Sequence, residues 1–134
     1  MEEKVNIWNS LKFGESGNSS FDKIRDKLDE IGNDLCDKTN GILTKDISNA
    51  GDYVNFCFTF TAKAVALGNY GIKVFSIAYD SEKAKYTIWN HKGDDGISFE
   101  NIEELESKIE EAMTDKVNQS IQQLYKQAKD NLNE

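Results

Sequence analysis

The side chains with chemistry to offer are few: one histidine, two cysteines and a surplus of carboxylates. His91 stands beside Lys92 and near the pair Asp94 and Asp95, and an imidazole among carboxylates is raw material for a general base or a metal ligand. One imidazole and two adjacent aspartates in a loop do not converge on an ion, and the alternating acidic positions of a calcium loop are missing. Cys36 and Cys57 lack the Cys-x-x-Cys spacing and any catalytic context. Gly68-Asn69-Tyr70-Gly71 opens a strand, whereas a phosphate loop opens a helix. Nucleophile-elbow and zincin patterns are also absent. We therefore assign no catalytic residue, no metal ligand and no cofactor, and expect a protein that is not an enzyme.

The carboxylates are placed unevenly. Asp94, Asp95, Glu100, Glu103, Glu104, Glu106, Glu110 and Glu111 face a single Lys108 in the same stretch, which accounts for nearly all of the chain's net charge of −8. Acidic residues at a helix N-terminus are favoured by its dipole, which explains Glu100 and Glu103. Glu106, Glu110 and Glu111 lie beyond that first turn, and Glu103, Glu106 and Glu110 share a ridge at i, i+3 and i+7, where like charges repel. A solvated acidic face is the plain reading. The functional one is a surface that meets a basic partner, with Asp94, Asp95, Glu103, Glu106, Glu110 and Glu111 standing where phosphates would otherwise lie.

The elements that must hold these residues follow from periodicity. The chain has 134 residues, the size of one domain. Its centrepiece is Val54 to Ala64, where Val54, Phe56, Phe58, Phe60, Ala62 and Ala64 alternate with polar residues as a strand with one buried face requires. Residues 1–20 read as an N-terminal arm, carrying Trp8, and a linker. Residues 20–41 read as a helix, with Phe21, Ile24, Leu28, Ile31 and Leu35 on one stripe and a stop at Asn40-Gly41. Residues 42–97 form the sheet, in which Ile42 to Ile47 is either an edge strand or a helical turn. Ile72 to Tyr79 is apolar on both faces, as a central strand would be. Ser98 is the expected cap of a helix running from 98 to 132. Its apolar stripe rotates after Met113, so either the helix breaks near Thr114 or its second half packs elsewhere. The fold class is α+β: an antiparallel meander of three strands, with room for a fourth, and helices on one face, in the order α-β-β-β-α.

Three functions fit this frame. The first is a non-enzymatic acidic inhibitor that blocks a basic protein or a nucleic-acid-processing enzyme. The second is a dimeric chaperone or scaffold, with Val117, Ile121 and Leu124 as the contact between copies. The third is a small-ligand domain on the polar strand face of Asn55, Thr59 and Thr61 with His91. The acidic balance argues against direct contact with nucleic acid or an anionic membrane. No apolar run reaches the length of a membrane span, and reduced thiols without a secretory signal suit the cytoplasm. In size, acidity and want of catalytic residues the chain resembles the small inhibitor proteins of bacterial and phage conflict, such as immunity proteins, antitoxins and anti-defence proteins. In element order it is similar to acidic secretion chaperones. The resemblance is one of whole-chain character and transfers no functional residue.

Overall fold

The phenylalanine alternation sets the inside of the molecule. In the computed structural model, which describes residues 20–52, 54–91 and 96–132, strand β2 (Phe56–Ala64) buries Phe56, Phe58, Phe60, Ala62 and Ala64 and leaves the intervening side chains half-buried. Val54, expected on the buried side, is 56% exposed. The Asp52 carboxylate accepts the N–H groups of Val54 and Asn55, both at 2.9 Å, and this turn holds Val54 off the strand.

Around β2 the sheet has five strands where three or four were expected. The ambiguous stretch after Ile42 is β1 (Leu43–Gly51), paired with the full length of β2 from Leu43 opposite Ala64 to Gly51 opposite Phe56. Strands β3 (Tyr70–Asp80), β4 (Lys85–Asn90) and β5 (Ile97–Phe99) follow, every pair antiparallel, in the spatial order of the sequence. The fold is thus α+β, with the helices on the phenylalanine face. Strand β5 corrects the expected helix start at Ser98. Phe99 lies opposite Tyr86 with the rings 5.0 Å apart and nearly parallel, and that aromatic pairing holds the segment extended. The row continues through Tyr79 to Phe56, each ring touching the next. The cap comes three residues later, where the Asn101 side chain accepts the Glu103 N–H at 3.0 Å and starts a 3-10 turn, Ile102–Glu104.

Strand β3 is not apolar on both faces. Phe60 faces Phe75 but Thr61 faces Lys73, so Val74 is an extra residue, a β-bulge. The bulge shifts the alternation by one. Ile72 before it and Phe75, Ile77 and Tyr79 after it therefore all join the phenylalanine side, pairing with Ala62, Phe60, Phe58 and Phe56. Phe75 stacks on Phe60 with the ring centroids 5.3 Å apart.

The helices cover that side. Helix α1 (Ser20–Lys38) buries Phe21, Ile24 and Leu28, and Phe21 packs on Phe56 and Phe58. The long C-terminal helix is two helices, α2 (Leu105–Ala112) and α3 (Asp115–Leu132). Met113, with ψ at 75°, leaves the helical region, and its N–H closes the end of α2 on Ile109 and Glu110. The rotated stripe now has its cause: α2 packs on β4 and β5, while α3 packs on β2 and on the 3-10 turn Val65–Leu67. No helix of the described residues is long and apolar enough to cross a membrane.

Candidate functional site: an acidic groove between two helices

Helix α1 lies mainly on β1 and α2 on β4 and β5. Between them a cavity of about 820 Å³ reaches down to Phe75 of the central strand. Its floor is apolar, made by Phe75, Ile31, Ile109 and Met113. Its walls are acidic: Asp26, Asp29, Glu30, Asp34 and Asp37 come from α1, Glu106 and Glu110 from α2, and Lys27 is the one cation in the lining. Helical geometry gathers the α1 set. Asp26, Glu30 and Asp34 stand at successive i+4 positions, as do Asp29, Asn33 and Asp37 on the neighbouring ridge.

Local cations compensate part of this charge. Lys27 Nζ lies 3.5 Å from Glu30 and 3.6 Å from Glu106, and so ties one wall to the other. Lys45 of β1 lays its alkyl stem over Gly32, where a Cβ would stand 2.0 Å from Lys45 Cδ. Its ammonium donates to Asn33 Oδ1 at 2.7 Å and lies 3.6 Å from Asp29. Arg25 pairs with Asp26 at 3.3 Å and Lys38 with Asp34 at 3.1 Å. Asp37 and Glu110 make no ion pair among the described residues, and each stands in the last turn of its helix, where the dipole disfavours negative charge. Neither wall owes these carboxylates to helix stability.

Of the carboxylates offered from the sequence as a partner surface, Glu106 and Glu110 line the groove. Glu103 lines a smaller cleft with Lys23 and Lys27, and Glu111 pairs with Lys108 at 3.5 Å. Asp94 and Asp95 lie outside the described residues, as does Trp8 of the arm. The α1 wall was missed, although its i+4 acidic ridges were legible, because those residues read as one solvated face of mixed sign.

The residues offered as an oligomer contact have another role. Val117 and Leu124 are each 2% exposed within the chain's own core, and Ile121 packs against that core.

The opposite face of the sheet carries the polar strand residues. Thr59 Oγ1 and Ser76 Oγ are 2.9 Å apart and Ser76 Oγ and His91 Nε2 2.8 Å, a chain of hydrogen bonds across β2 and β3 to the end of β4. Ser76 is 1% exposed, so its hydroxyl is closed to a substrate. Burial, and then the positive charge of Lys73, hold the His91 pKa below its ordinary value. Asn55 is engaged elsewhere, its side-chain oxygen accepting from Ser81 N and Oγ at 2.8 and 3.0 Å. Thr61 lies opposite Lys73. Burial raises the Cys57 thiol, a weak nucleophile there. Cys36, on α1, is also a free thiol.

No family model matches this chain, and no curated protein or solved structure matches it significantly.

Proposed function

We propose that this protein is a non-enzymatic binding protein that engages a basic surface on a partner protein and blocks it. The partner is a basic protein or a nucleic-acid-processing enzyme. One observation carries the reading: two helices, remote in sequence, turn seven carboxylates toward one groove with an apolar floor. A concave site of this charge attracts cations and repels phosphate, so nucleic acid and anionic membrane are the wrong ligands for it. Against the core of an enzyme's phosphate-binding cleft, the same carboxylates would occupy phosphate positions. The dimer reading loses support because its three residues contribute to the chain's own core. The small-ligand reading loses support because Asn55, Thr59 and His91 already bond within the sheet face and its turns.

The test is capture from an extract of the native host, identification of the bound protein, and measurement of that complex across a salt series. A basic partner, bound more weakly as salt rises and released by combined Asp37→Lys and Glu110→Lys, is expected. A complex indifferent both to salt and to the double reversal defeats the reading.

A further inference from the structure

We propose that the groove's occupant is a short segment of polypeptide in which one apolar side chain is flanked by lysines or arginines, the apolar group seated on the floor and the cations on the walls. This rests on the binding reading above and narrows it from a charged surface to a recognition site. Charge alone would need only the walls. The floor adds a different demand, because Ile31 and Met113, half-buried over the closed core residues Phe75 and Ile109, offer apolar surface that a polyamine or a metal ion would leave wet. Met113, at the helix break, is half-buried, and an unbranched thioether adapts to the shape of what it covers. The cations have definite places to go: Asp37 and Glu110, one on each wall, have no ion-pair partner among the described residues, whereas Lys27 already bridges Glu30 and Glu106. From Asp26 to Asp37 the α1 wall runs roughly 16 Å, which a helical segment of about eleven residues or an extended one of about five would span.

The experiment titrates isotopically labelled protein with a panel of peptides of about twelve residues, rich in lysine and arginine, with one central Leu, Ile or Phe. The same peptides with Ser at that position and spermine serve as comparisons. The expected result is that at least one anchored peptide binds about 10- to 100-fold more tightly than its Ser counterpart. It should shift the resonances of Ile31 and Met113, and the pair Asp37→Asn and Glu110→Gln should weaken it severalfold. Because the anchor is altered in the peptide, a folding defect in the protein cannot produce the difference. Equal binding of anchored and Ser peptides, or equal binding of spermine, overturns the segment proposal and leaves the acidic binding reading standing. Binding of none overturns both.

Discussion

Asp37 and Glu110 are the residues at which stability and the proposed binding pull apart. Each sits at the negative end of a helix dipole and makes no ion pair among the described residues, Lys38 in the last turn of α1 being paired with Asp34, so Asp37→Asn and Glu110→Gln should each raise stability by a few tenths of a kcal/mol, to about 1 at most. Chemical denaturation reads this as a higher midpoint with an unchanged slope. At His91 the sign of the pH dependence is fixed by the lowered pKa. The folded protein takes up this proton less readily than the unfolded chain, so the contribution to stability is complete above the ordinary imidazole value of 6.5 and is lost as pH falls through the folded value. The denaturation midpoint should therefore drop as pH falls below about 6.5, and His91→Gln should flatten that part of the profile.

At the scale of elements, the fold depends on devices that alternation alone does not reveal. The phenylalanine face of β2 was legible because strict period two leaves no other arrangement. The α1 stripe was legible for the same reason at period 3.6. The bulge at Val74 was not, since one extra residue looks in sequence like a strand apolar on both sides. Nor was β5, whose three residues carry no period and owe their place to Phe99 pairing with Tyr86. The break after Met113 left a trace in the rotated stripe, but the element that receives α3, the turn Val65–Leu67, is far away in sequence. Half of the groove was hidden likewise: α2 announced itself by net charge, while the α1 acids alternate with lysines and show their ridge only on a helix. Two substitutions probe these devices. Deleting Val74 should leave the native circular dichroism spectrum in place with a lowered denaturation midpoint, because Lys73 and Phe75 then pair with Thr61 and Phe60 as neighbours in a regular ladder that keeps Ile72 and Phe75 to Tyr79 on one face, while one buried side chain is lost. Asn90 is 4% exposed and its amide donates to Ala112 O at the end of α2 at 2.9 Å. Asn90→Leu should destabilise the chain by about 1 to 3 kcal/mol, with early loss of amide protection in α2.

On the scale of the whole molecule the two faces of the sheet are unlike. One holds the aromatic core, the helices and, over the central strand, the acidic groove; the other closes its polar groups on one another through Thr59, Ser76 and His91. The proposed binding role needs no moving part, only a rigid floor, with Lys27 tying the two walls together and Lys45 tying the α1 wall to β1. Hydrogen exchange of the partner complex tests this most directly. The account predicts added protection in residues 26–37 and 106–113 with the amides of β1 unchanged. Protection confined to the edge strand β1 or to the face of Thr59 and His91 would contradict it.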